Sequence, residues 1–102
     1  KANFLFYKCE NLTKIDLSNF NTKNMIRMDA MFSDCTSLAS VNLTNLNTKN
    51  IIDMNHMFYK CTSLTNLGTN LNWNTGNVTD MSYLFYKCSG LENVNGVIID
   101  VI

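Results

Sequence analysis

Apolar side chains return along this chain at fixed offsets. Met54, Met57, Phe58, Cys61 and Leu64 are matched upstream by Met28, Met31, Phe32, Cys35 and Leu38, and downstream by Met81, Leu84, Phe85, Cys88 and Leu91. A frayed first copy opens the chain, with Phe4, Leu5, Phe6, Cys9 and Leu12. The cysteines fall 26, 26 and 27 residues apart. A period of that length marks units that cannot bury an apolar face alone and stack on their neighbours to do so. Within a copy the apolar residues sit at helical spacing, as in Ile51, Met54, Met57, Phe58 and Cys61, which predicts a short amphipathic helix.

Beyond each helical segment the period changes. Leu12-x-x-Ile15-x-Leu17 and Leu38-x-x-Val41-x-Leu43 end in alternation, the pattern of a short half-buried strand. It returns less cleanly at Leu64 and Leu67, where Gly68 and Thr69 intrude and read as a local kink, and again at Leu91 and Val94. Strands recurring at this interval must run parallel, with right-handed crossovers. Asn-Thr pairs at 21–22, 47–48 and 74–75 suit the corners between strand and helix. Asn50 and Asn77 stand where helix N-caps are wanted, with Asp53 and Asp80 three residues on; the position beyond Asn24 is Arg27 instead. The expected fold is α/β: a right-handed solenoid of about four 26-residue strand-turn-helix repeats, with a short parallel sheet at ~4.8 Å spacing on its concave side.

Composition supports one domain over residues 1–102. Hydrophobic residues make up 46% of the chain, enough for a core, and eight basic residues balance eight acidic ones. That balance argues against nucleic acid as a partner. No apolar run is long enough to span a membrane. Neither end reads as a polar cap and residues 97–102 are apolar, so the chain is expected to be a fragment of a longer solenoid with targeting signals outside it.

With the repeat in view, the chain resembles the BspA-like leucine-rich repeats, the 26-residue repeats of bacterial surface proteins. The residues that carry the likeness are Leu38, Val41, Leu43, Thr44, Asn45, Leu46, Asn47 and Thr48, then Asn50, Ile51 and Met54, then Met57, Phe58, Cys61, Ser63 and Leu64. The resemblance implies a leucine-rich-repeat solenoid in a cell-surface or secreted protein, a lipoprotein in some cases, of the Listeria or mycoplasma type. Roles in adhesion or host contact through protein binding go with it. The Gly68-Thr69 insertion, the missing acidic residue after Asn24 and the tail 97–102 depart from the family's pattern.

Candidate chemistry is sparse. Each cysteine stands alone at one repeat position, without the close pairing of a metal site, and is expected to be a free buried thiol. His56 is the only histidine and matches Ala30 and Tyr83 in other copies, so an exposed, idle ring is expected. No catalytic residue, metal ligand or cofactor is assigned, and an enzyme is not expected. The methionines read as core filling, together with Phe32, Phe58, Leu84, Phe85 and the aligned cysteines and leucines. Tyr7-Lys8, Tyr59-Lys60 and Tyr86-Lys87 form an outer column that Ser33-Asp34 interrupts. The polar strand positions Lys14, Asp16, Ser18, Ser40, Asn42, Thr44, Asn66, Asn93 and Asn95 are the candidate contacts for a protein or glycan partner. The expected function is non-enzymatic adhesion or host contact at the cell surface. The alternative is a structural spacer or stalk that holds another domain away from the envelope.

Overall fold

In the computed structural model, residues 3–44, 46–68, 75–91, 93–94 and 97–98 are described. Strand β1, Lys14–Asp16, pairs in parallel with β2, Ser40–Asn42, joining Lys14 to Ser40, Ile15 to Val41 and Asp16 to Asn42. A single bridge carries the parallel run on from Ser40 to Asn66. A second line of parallel bridges joins Arg27 to Asp53 and Asp53 to Asp80. Each copy therefore lies alongside the next, one repeat in sequence being one step in space. Strand β3, Asn93–Val94, departs from this order and pairs antiparallel with β4, Val97–Ile98.

The helical segment expected in each copy is a run of tight turns. Among the described residues there is no α-helix, only a 3₁₀ turn at Ser89–Leu91. Every copy places two non-glycine residues in the left-handed region, four apart: Phe4 and Lys8, Ala30 and Asp34, His56 and Lys60, Tyr83 and Lys87. A right-handed helix cannot pass through such residues. Instead, alternate amides face two ways. The N–H groups of Met57, Tyr59 and Cys61 bond back to the carbonyls of Met54, His56 and Phe58, closing local turns. Those of His56, Phe58 and Lys60 donate sideways to Ser82, Leu84 and Tyr86 of the next copy, at 2.9, 2.9 and 2.7 Å. The first and second copies repeat this arrangement through Phe6 to Met31 and Phe32 to Met57. Left-handed non-glycine residues cost of order 1–3 kcal/mol each and persist where the surroundings over-determine them, here by the bonds between copies.

The apolar rows turn inward. Met28, Met31, Phe32, Cys35, Leu38, Met54, Met57, Phe58, Cys61, Leu64, Cys88 and Leu91 are fully buried. Phe6, Phe32, Phe58 and Phe85 form one interior column, with successive ring centroids 5.3, 5.3 and 5.5 Å apart and planes inclined by 6°. The fourth copy is less covered than expected: Leu84 and Phe85 are half-buried and Met81 is 47% exposed. Rows in the middle copies are sandwiched on both sides, whereas among the described residues the fourth copy bonds to the third alone and the first, where Phe4 and Leu5 are exposed, to the second alone.

The caps also differ from expectation. Asn50 and Asn77 do not cap helices; their side-chain amides donate to the Lys23 and Lys49 carbonyls of the preceding copy, at 3.3 and 2.8 Å. Asp53 and Asp80 each accept the N–H two residues on, from Asn55 and Ser82. Where Arg27 replaces the acidic residue, the polarity is exchanged: its guanidinium grips buried Asp29 through two bonds of 2.9 Å. The third Asn-Thr corner begins at Asn74, outside the described residues, as do Thr69 and residues 99–102 of the tail.

Candidate functional site

Alternation along the two parallel strands decides which side chains meet solvent. Ile15 and Val41 point to the core, and Lys14, Asp16, Ser40 and Asn42 flank them on the other face. With Thr44, Asn66 and Gly68, Ser40 and Asn42 line a shallow groove of about 270 Å³. The structure thus brings together four of the candidate contacts, Ser40, Asn42, Thr44 and Asn66. Lys14, Asp16 and Ser18 lie on the first copy, beside this groove. Asn93 stands apart in the antiparallel pair, opposite Ile98, and Asn95 lies outside the described residues.

One row of these side chains also shapes the backbone. Asp16, Asn42 and Asn66 occupy matching positions, and each accepts the N–H two residues on, from Ser18, Thr44 and Gly68 at 2.9, 3.0 and 2.8 Å. These are Asx turns that end the strand run in the first three copies. Ser18, through its hydroxyl and its backbone N–H, holds the Asp16 carboxyl below the ordinary carboxylate value. In the third copy the residue after the turn must be glycine. Gly68 has φ of +94°, and a Cβ there would fall 2.8 Å from Asn42 Oδ1 and 2.9 Å from Thr44 Oγ1. Pairing slips beside it: Val41 donates to the Asn66 carbonyl, but Leu43, two residues on, donates to Leu67, only one residue on.

The cysteine column is structural. All four thiols are free. Cys35, Cys61 and Cys88 donate to the carbonyls of Phe6, Phe32 and Phe58 in the preceding copy, at 3.0, 3.0 and 2.8 Å. Burial pushes the Cys35 thiol up to about 11, and the adjoining Cys88 thiol together with burial raises Cys61 as well. Among the described residues, no three His, Cys, Asp or Glu side chains group to hold a metal ion, and no helix is long and apolar enough to cross a membrane.

On the turn runs two outer columns stand side by side. One is Phe4, Ala30, His56 and Tyr83; the other is Tyr7, Ser33, Tyr59 and Tyr86. Tyr59 and Tyr86 stack at 5.3 Å, and Lys8, Lys60 and Lys87 place their ammonium groups 5.3, 5.2 and 5.6 Å from the rings of Tyr7, Tyr59 and Tyr86. His56 is half-buried rather than exposed and idle. Its Nδ1 lies 2.8 Å from Asn55 Oδ1, and its ring packs against Tyr59 and Tyr83 at 4.7 and 4.8 Å. Sequence reasoning saw the interruption at Ser33-Asp34 but not that Ala30 interrupts the neighbouring column in the same copy. The signal was present in the alignment of the four copies.

No curated protein and no solved structure matches the chain. Comparison with protein families matches residues 1–97. The chain belongs to the family described as Mycoplasma protein of unknown function, DUF285.

Proposed function

We propose that the chain is a non-enzymatic binding module of a bacterial surface protein, a leucine-rich-repeat solenoid of BspA-like type that contacts a protein or glycan partner through its strand face. The observation that carries the reading is the groove lined by Ser40, Asn42, Thr44, Asn66 and Gly68, because it gathers polar side chains from two neighbouring copies on the face free of core packing. Small polar groups without an arginine or aromatic anchor suit a weak contact, strengthened when many copies act together. Membership of a mycoplasma repeat family and the regular stacking of copies support the same reading.

The test changes charge while keeping the turns. Asn42→Asp and Asn66→Asp retain the accepting oxygen, and Ser40→Asp adds a third charge to the groove. Binding of the parent protein to arrays of host matrix proteins and of glycans is expected to fall in the triple variant with the thermal midpoint little changed. Undiminished binding counts against the strand face.

The Asx turns favour a second reading. Because Asp16, Asn42 and Asn66 each spend a side-chain oxygen on the backbone, their recurrence also suits a spacer that only holds another domain outward. A spacer tolerates replacement by an unrelated solenoid of equal length; a recognition module does not.

A further inference from the structure

In the two outer columns, the second copy alone carries small side chains at both positions. Ala30 and Ser33, 6% and 3% exposed, form a floor between the rings of Phe4 and Tyr7 on one side and His56 and Tyr59 on the other. The notch so formed has a volume of about 320 Å³, and Asp34 is the only charged side chain that lines it. Lys8, Lys60 and Lys87 stand at the position of Asp34 in the other copies, so the copy that lacks the ring also exchanges a cation for an anion. The Asp34 carboxylate accepts the Ser33 hydroxyl at 2.9 Å through Oδ2, and its Oδ1 has no donor among the described residues. The ion pair found among those residues joins Arg27 to Asp29, so neither neighbouring lysine pairs with Asp34.

We propose that this notch takes the guanidinium group of an arginine side chain presented by a partner protein. The shape of the vacated level selects a flat group. Phe32, at the matching level of the interior column, is stacked on both faces, by Phe6 and by Phe58, each at 5.3 Å. Tyr59 and Tyr86 show that the outer column stacks at the same spacing, 5.3 Å with planes inclined by 12°. A planar group entering between Tyr7 and Tyr59 therefore meets one ring at ~5 Å on each face, inside the ~6 Å at which an aromatic face attracts a cation. Charge selects among flat groups. The Asp34 carboxylate offers N–H donors charge-assisted bonds, roughly twice as strong as neutral ones, which the neutral ring of a tyrosine or tryptophan forgoes. Guanidinium joins both properties, with flat faces for the two rings and a fork of N–H groups for the carboxylate, whereas the compact lysine ammonium is more strongly hydrated and has no flat face. The rings of this column already hold cations: the ammonium groups of Lys8 and Lys60 lie 5.3 and 5.2 Å from the centres of Tyr7 and Tyr59. Those groups do not line the notch, but they share a row with Asp34 and oppose a cationic guest, so the effect of removing one has a definite sign.

This site lies on the turn face, apart from the strand-face groove, and goes beyond the contact proposed there. It is tested by titrating the isotope-labelled chain at neutral pH with the N-acetyl amides of arginine, lysine and tyrosine in turn, following backbone amide shifts. Saturable shifts at Ser33, Asp34, Asn55 and His56 are expected with the arginine derivative, and binding of the other two is expected to be at least ~5-fold weaker. Removing the two charges moves the affinity in opposite directions: Asp34→Asn is expected to weaken arginine binding ~10-fold, and Lys60→Asn to strengthen it. Asparagine tolerates the left-handed backbone at both positions, where φ is 62° and 60°, so both turns are kept. Asn42→Asp with Asn66→Asp is expected to leave the notch response unchanged, so that failure at the strand face and failure at the notch are read separately. No saturable shift with the arginine derivative, lysine or tyrosine binding as tightly, undiminished binding to Asp34→Asn, or weaker binding to Lys60→Asn would overturn the assignment.

Discussion

Phe32 and Phe58, one copy apart, stack with ring centroids 5.3 Å apart and planes inclined by 6°, and both are wholly buried. Phe58 touches a second ring, Phe85, at 5.5 Å on its other side. Phe58→Ala therefore removes the link between three copies and leaves a cavity that stiff backbone ladders cannot close. Chemical denaturation is expected to show a loss of roughly 3–5 kcal/mol. An unchanged unfolding midpoint would refute the stacking at this level.

Gly68→Ala tests the slip in the third copy. The new methyl would meet Asn42 Oδ1 and Thr44 Oγ1 at less than 3 Å, in a backbone conformation that disfavours any side chain. The expected cost exceeds ~1 kcal/mol, measured by thermal or urea unfolding. A neutral result would mean that this backbone is not held left-handed.

Acid should weaken the fold at its turns. Ser18 lowers the Asp16 carboxyl and Ser82 lowers Asp80, each through its hydroxyl and its N–H. A carboxyl lowered in the folded state contributes stability that is present above its ordinary value of 3.8 and is lost as pH falls through the lower folded value. The unfolding midpoint is expected to decline below about pH 4, and Asp16→Asn with Asp80→Asn should flatten that decline.

The thiols offer a chemical readout of burial. With Cys35 raised from 9.0 to about 11, its thiolate fraction at pH 8 falls about 100-fold. Native chain treated with iodoacetamide is expected to be labelled first at half-buried Cys9, with Cys35 and Cys61 labelled only on unfolding. Fast native labelling of Cys61 would contradict the packed column.

Much of the core was legible because Met28, Phe32, Cys35 and their counterparts keep one spacing from copy to copy, and equivalent positions face the same way. The helix was not legible as something else for the same reason: turns closed by bonds three residues back place apolar residues inward at nearly the helical interval. The left-handed positions give no warning either. Phe4, Ala30, Asp34, Tyr83 and Lys87 stand where glycine or asparagine would signal a turn. Asn50 and Asn77 carry the composition of caps, yet their partners are carbonyls one copy away, which no local pattern reveals. At the strand face, the alternation around Ile15 and Val41 placed Ser40 and Asn42 on the outer side, and the second role of Asp16, Asn42 and Asn66 as turn formers emerged only with the bonds to Ser18, Thr44 and Gly68.

The most direct test is of the bond from the Phe58 amide to the Leu84 carbonyl, 2.9 Å long and 26 residues apart in sequence. A scalar coupling measured by NMR through that hydrogen bond, between the Phe58 nitrogen and the Leu84 carbonyl carbon, is predicted, with matching couplings from His56 to Ser82 and from Lys60 to Tyr86. Couplings from Phe58 to Met54 instead, four residues back, would identify a helix and contradict the stacked turn runs.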